Sequence, residues 1–385
     1  MKKLIRWSLV AVTFLSAPAI AQKVQPYYPE ATWQTKSPKE LKVDAASLDS
    51  AVVFAKSSEN SVEKDLRVAN LKAYVREPDY KILGPMKERG GPNGVIIKNG
   101  YIIAQWGEVD RVDMTFSVTK SVLSTVAGLA YDRGLIRNIN DPVSGYVWDG
   151  TFQGEHNSKV TWEHLLQQTS DWYGCLHGIC DWADRPPREG TVDNWRNRKL
   201  LTPGTTFEYN DVRVNLLAYS LLHVLRKPLP MVLKDQIMDP IGASTTWRWY
   251  GYDDSFVNID GIMMQSVSGG GHFGGGLFIN TMDQARLGLL FLREGKWKDK
   301  QLISRQWIDM ARKPSVPNKS YGYMWWTNEE GTFKSAPKSM YYANGFGGNY
   351  IFIDQEHDLL IVVRWMDNNK LDEFLRRTLK AIGVK

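Results

Sequence analysis

The chain has 385 residues, 43% of them hydrophobic, with 15 Trp, 17 Tyr and 13 Phe. That is enough apolar surface for a large core, and the length exceeds the roughly 250 to 300 residues at which single cores stop growing. The formal charge of +6 includes Lys2, Lys3 and Arg6 of an apolar leader without acids, so the remainder carries +3. No dense Lys/Arg run follows the leader, which leaves nucleic-acid binding without an electrostatic footprint, and no internal period recurs, which excludes a repeat architecture.

The opening MKKLIRWSLVAVTFLSAPAIAQ combines a basic start, an apolar run and the small-residue triplet Ala19-Ile20-Ala21, the pattern of a secretory signal (1–21) cut after Ala21. A retained anchor is the poorer reading, because the apolar run is short for a bilayer and holds Pro18. A soluble periplasmic or secreted product, with no membrane anchor after cleavage, is expected. Residues 22–40, rich in Pro, Tyr and Lys, are expected on the surface, and 45–56 and 62–74 have helical spacing. Residues 94–107 hold two β-branched apolar runs around Asn99-Gly100, a hairpin signal. The spacing from 117 to 135, ending at Gly134, predicts a largely buried helix.

Shorter helices are predicted at 161–168 and 214–225 in a stretch, 145–260, that otherwise reads as loop. Within it Cys175 and Cys180, the only cysteines, lie close together in GCLHGICDW. An oxidising destination makes their disulfide the expected state. The alternative is a metal site with His177, although two Cys and one His fall short of a zinc set. Beyond 270 the sequence predicts strands at 276–279, 321–327, 349–354 and 359–365, a helix around Leu287, and a closing helix at 371–382. The fold class expected is α+β: an antiparallel sheet built from 94–116 and 265–385, flanked by helices, with an inserted helical, loop-rich subdomain at 117–264. Residues 22–93 would be an N-terminal extension to a catalytic unit at 94–385.

A serine hydroxyl is a poor nucleophile, so a serine enzyme needs a base within hydrogen-bond reach and donors for the oxyanion. No serine here stands in G-x-S-x-G, and none of the six His forms H-E-x-x-H. Ser-x-x-Lys at a helix start, which puts an ammonium one turn above the hydroxyl, does occur, at Ser117-Val118-Thr119-Lys120. Ser61 to Lys64 and Ser335 to Lys338 match it too, but one lies in a polar stretch and Pro337 interrupts the other. Only Ser117 opens a long apolar helix, where its N–H is unpaired and burial of Lys120 would favour the neutral amine. The competing reading is a capping serine with a solvated lysine.

FSVTKSVLSTVAGLAYDRGLI, DPVSGYV, VTWEHLLQQTSDW, LTPGTTFEYND and GGGLFINTMDQARLGLLFL, in this order, resemble the β-lactamase-related serine hydrolases of the penicillin-recognising superfamily. The similarity runs from about Gly94 to Trp365. It implies a β-lactamase/transpeptidase-like fold and a second motif, Tyr-x-Asn after Pro-Gly, here Tyr209-Asn210-Asp211 after Pro203-Gly204, with Asp211 in place of the usual Asn. A tyrosine facing the Ser–Lys pair can relay the proton to the leaving group. The third motif, Lys-Thr-Gly or a variant on a strand edge, falls at Ala343-Asn344-Gly345, and the resemblance makes the N–H of Phe346 the second oxyanion donor.

No Lys, Arg or His stands at 343–348 to hold a substrate carboxylate. The pattern therefore looks more like the esterase and amidase branch, which includes the 6-aminohexanoate-oligomer hydrolases, than like a penicillin hydrolase. The aromatic loop with Trp172, Tyr173 and Trp182 is expected to wall the pocket. The partner expected is a small-molecule ester or amide, handled without metal or organic cofactor. A penicillin-binding or β-lactam-hydrolysing enzyme, and an inactive binding protein on the same fold, are the alternatives.

Overall fold

Residues 26–384 are described by a computed structural model; the expected leader, with its cleavage after Ala21, lies outside them. Two helices come first, α1 (Ala45–Lys56) and α2 (Leu66–Tyr74). Each is opened by an aspartate accepting a first-turn N–H, Asp44 from Ser47 at 2.7 Å and Asp65 from Arg67 at 2.9 Å. The Asp65 cap is why the helix predicted from 62 begins later. A hairpin follows, β1 (Asn93–Lys98) and β2 (Tyr101–Trp106), with Asn99 and Gly100 at φ 54° and 85°, the left-handed pair a two-residue turn requires. The short β3 (Asp113–Met114) leads into α3 (Val118–Asp132), then α4 (Trp162–Leu166) and α5 (Asp211–Leu225). After β4 (Arg248–Ile259), β5 (Ile262–Val267), β6 (Gly276–Ile279) and α6 (Thr281–Leu292) come β7 (Trp326–Thr327), β8 (Tyr341–Gly345), β9 (Asn349–Asp354), β10 (Leu359–Arg364) and α7 (Leu371–Ala381).

The ends of the chain close one antiparallel sheet in the order β7-β8-β9-β10-β1-β2. Its joint is β10 against β1, from Asn93 opposite Arg364 to Lys98 opposite Leu359. Alternate residues of each strand enter different cores, as a period of two demands. Val95, Ile97, Ile351, Ile353, Leu360 and Val362 join the core under α3 and α6. Ile96, Ile103, Phe352, Ile361 and Val363 pack under α1 and α7. Both faces are covered, so β9 and β10 are apolar throughout rather than alternating. Helix α3 is buried continuously from Val118 to Ala130 and packs against α5.

The stretch expected as loop holds a second hairpin. β4 and β5 join β3 and β6 in a sheet of order β3-β6-β4-β5, and their turn, Asp260-Gly261 at φ 54° and 84°, repeats the geometry of Asn99-Gly100. The strand escapes a periodicity reading because RWYGYDDSFVNI is half exposed and its register shifts between Gly251 and Phe256. The strand expected at 321–327 shrinks to Trp326–Thr327. Among the described residues no single helix is long and apolar enough to cross a membrane.

Candidate active site

Ser117 sits between β3 and α3, where the backbone turns sharply. Phe116 takes a left-handed φ of 49°, a conformation that costs a residue with a side chain about 1–3 kcal/mol. Its ring is locked edge-on against Phe346 and Trp365, with centroids 5.1 and 6.4 Å away. Ser117 precedes the first residue of α3 but its hydroxyl caps nothing. Instead Oγ accepts a hydrogen bond from Nζ of Lys120 at 2.9 Å, and Lys120 is 1% exposed. Both halves of the competing reading, a capping hydroxyl and a solvated lysine, are absent. The other two Ser-x-x-Lys matches lie elsewhere, Ser61 exposed and Ser335 bonded to Asp372 at 2.9 Å.

Lys120 is not simply a buried amine. Its Nζ also donates to Oδ1 of Asp211 at 2.7 Å, in a pair whose side chains are each 1% exposed. Burial alone would raise the Asp211 carboxyl, but the Lys120 ammonium and then the Arg185 guanidinium hold it well below the usual range. Nη1 of Arg185 lies 2.7 Å from Asp211 Oδ2 as a charge contact, and donates to Asp184 Oδ1 at 2.6 Å. The second Asp184 oxygen accepts the N–H groups of Asp211 and Val212, at the head of α5. The middle residue of the Tyr-x-Asp motif is structural: Asn210 caps α5 by accepting from the Arg213 N–H at 3.1 Å. Gly270 lies against the pair so closely that a Cβ there would fall 1.8 Å from Asp211 Oδ1 and 2.2 Å from Lys120 Nζ.

Tyr209 meets Lys120 with its ring, whose centroid is 4.7 Å from Nζ and 5.3 Å from the Arg185 guanidinium, and it stacks on Trp326 at 5.9 Å. Ser117, Tyr209, Arg185, Trp326, Asn344 and Phe346 line one cleft of about 440 Å³. β8 reaches it because Gly345 has no side chain: a Cβ there would lie 2.0 Å from the Thr115 carbonyl. The strand thus runs against the start of α3 and brings Phe346 beside Ser117 in the cleft wall. Among the described residues neither the Ser117 nor the Phe346 backbone N–H is spent on a partner, as two oxyanion donors should be.

The structure gathers Ser117, Lys120, Tyr209, Asp211, Asn344, Gly345 and Phe346 and leaves the three aromatics expected to wall the pocket outside. Trp172 is core, 2% exposed, its Nε1 donating to the Thr151 carbonyl at 2.9 Å. Tyr173 is on the surface, its N–H held by Asn157 at 3.1 Å, and neither ring lines the cleft. Trp182 borders a separate cavity of about 270 Å³ with Cys180 and Phe273. Cys175 and Cys180 form a disulfide, and the segment after it carries Asp181, Asp184 and Arg185. A Cys175→Ser/Cys180→Ser variant is expected to lose about 2 kcal/mol, the value of so short a loop, read as a lower denaturant midpoint.

Sequence reasoning did not reach Arg185, Asp184, Gly270 or the contributions of Asn60, Val62 and Tyr74, which come to the cleft from ahead of the sheet. Glu77 and His272 stand behind it, 2.7 Å apart. Burial pushes Glu77 up to about 8 and His272 well below its ordinary value. Asp184, also raised by burial, is pushed up to about 6. No motif marks these positions, because their role comes from contacts between distant segments.

The sequence has no match among curated proteins. Solved structures share the architecture at low identity. EstCE1, a hydrolase with promiscuous acyltransferase activity, superposes with a TM-score of 0.58 at 15% identity, covering 88% of this chain and 98% of that one. A family VIII carboxylesterase gives 0.56 at 15%, covering 82% and 96%. A beta-lactamase/D-alanine carboxypeptidase from Pseudomonas syringae gives 0.53 at 14%, covering 82% and 98%. The family model described as beta-lactamase matches residues 96–383, most of the sequence, and the chain belongs to this family of penicillin-recognising serine hydrolases.

Proposed function

We propose that the chain is an exported serine hydrolase that cleaves an ester or amide by acyl transfer through Ser117. The observation that carries this reading is the Lys120 Nζ to Ser117 Oγ bond of 2.9 Å, made by a hydroxyl with no structural task. In the first step Oγ bonds to the substrate carbonyl carbon while its proton passes to Lys120. The Ser117 and Phe346 N–H groups stabilise the oxyanion. The C–O or C–N bond then breaks, and the proton returns through Tyr209 to the leaving group. Water releases the acyl group by the same steps in reverse. Export is supported by the leader pattern and by a disulfide, which persists in oxidising compartments.

The test is to treat the mature wild-type protein with a fluorophosphonate probe and a short-chain p-nitrophenyl ester. Probe mass on the peptide holding Ser117, together with nitrophenolate release, is the expected result. Failure of both would leave a binding protein on a hydrolase fold.

The cleft also favours substrates without a carboxylate. Among the described residues Arg185 is its one guanidinium, and that group is occupied: Nη1 by Asp184 and Asp211, Nη2 by Nδ1 of His272 at 2.8 Å. Penicillin turnover is expected to fall about 10²-fold below ester turnover in kcat/KM, the cost of one missing charge-assisted hydrogen bond. Comparable rates in a nitrocefin assay would overturn this preference.

A further inference from the structure

A carboxamide at position 211 would offer Lys120 only a hydrogen bond. The carboxylate that stands there offers a full opposite charge at 2.7 Å. That carboxylate holds Nζ by charge as well as by a hydrogen bond, and the same Nζ is the atom that must take the proton of Ser117. Asp211 does not serve Lys120 alone. Lys120, Asp211, Arg185 and Asp184 alternate in sign, linked by contacts of 2.7, 2.7 and 2.6 Å. We propose that Arg185 is a positioning residue for this reaction: by drawing on the second oxygen of Asp211 it loosens that carboxylate's hold on Lys120, and so sets the pH at which Ser117 becomes reactive. The inference rests on the Ser117–Lys120 reading above.

The surroundings confine the charge to those four groups. His272, from the glycine-rich loop before β6, faces Arg185 and is kept neutral by burial; Glu77, from the segment after α2, is pushed up to about 8 and pairs with it uncharged at neutral pH. Glu77 also accepts the Arg185 backbone N–H at 3.2 Å. Tyr209 and Tyr74 cover the guanidinium with their rings, centroids 5.3 and 5.7 Å from its carbon. Burial pushes Tyr74, Tyr252 and Tyr321 up, which keeps all three uncharged. Arg185 itself has a left-handed φ of 50°, unusual for a residue with a Cβ, so the chain is bent to aim it. Gly270 lies on the remaining side, where a Cβ would fall within 2.2 Å of both Asp211 Oδ1 and Lys120 Nζ.

The experiment follows fluorophosphonate labelling of Ser117 and kcat/KM for a p-nitrophenyl ester between about pH 5 and 10 in the mature chain. Arg185→Met is expected to move the acid limb of both profiles up by about one unit or more, and Asp211→Asn to move it down by about one to three units. Arg185→Lys, which keeps a cation, should return the limb close to wild type. Thermal unfolding of each variant guards against loss of fold. Should Arg185→Met not fold, Arg185→Gln, which keeps hydrogen-bond donors but no charge, takes its place with the same upward movement expected, and a limb that stays put in it overturns the proposal. Limbs that stay put, or move the same way in both variants, overturn the proposal, as does a loss in Arg185→Met that is uniform across pH. A wild type unlabelled at Ser117 overturns the nucleophile reading and this inference together. A labelled wild type with unmoved limbs overturns this inference alone.

Discussion

Ser117→Ala is expected to lose ester hydrolysis by a factor on the order of 10⁶, to background, with its fold intact. The side chain bonds only to Lys120 and caps no helix, so its removal should change stability by less than about 1 kcal/mol. Lys120→Met makes the complementary case. Methionine nearly fills the space, but the base is gone and Asp211 keeps Arg185 as its only cation. Turnover should fall by about 10² to 10⁴, with KM little changed, and stability by about 1–3 kcal/mol for the weakened buried charge. The pair of variants separates roles: the probe should not label Ser117→Ala at all and should label Lys120→Met slowly. Ester hydrolysis surviving in Ser117→Ala would assign the chemistry to another nucleophile.

How far the sequence could be read depended on whether information was local. The Asn99-Gly100 turn, the α3 helix, β6, β9 and β10 are each written in consecutive residues, and their bounds agree with the structure to within a few positions. Ser117 and Lys120 share one helical turn, so their proximity follows from the spacing alone. Tyr209 and Phe346 were found through resemblance, since nothing in their own neighbourhoods says that they approach Ser117. The Asp211 partner was visible as a departure from a pattern, but its consequence was not. Burial of Lys120 is legible in the apolar spacing of α3, whereas the carboxylate that shares its Nζ at 2.7 Å comes from a segment 91 residues away. Trp172 and Tyr173 failed for a related reason. An aromatic-rich loop near a motif can face inward or outward, and here one ring fills the core while the other lies on the surface.

The glycine at 270 carries the second large effect. Gly270→Ala is expected to reduce kcat by about 10² to 10⁴, as loss of the base would, and to destabilise the fold by about 3–5 kcal/mol, the cost of breaking a buried ion pair. The backbone is not the obstacle, because Gly270 is not among the glycines with positive φ. The obstacle is space: the new methyl would overlap Asp211 Oδ1 and Lys120 Nζ, and its third nearest atom, the Asp211 carboxyl carbon, is 3.0 Å away. Both side chains are fully buried, so neither can retreat into solvent. Separating them leaves Asp211 on Arg185 and Lys120 without its anion, and the hydrogen bond to Ser117 loses its anchor. Gly145→Ala is the matched control, since its Cβ would meet nothing within 4 Å and the change should be neutral or slightly stabilising. Chemical denaturation and ester kinetics on the two alanine variants decide the question. A Gly270→Ala protein as stable and active as Gly145→Ala would show that the Lys120–Asp211 pair has slack, and the tight charge relay behind Ser117 would have to be abandoned.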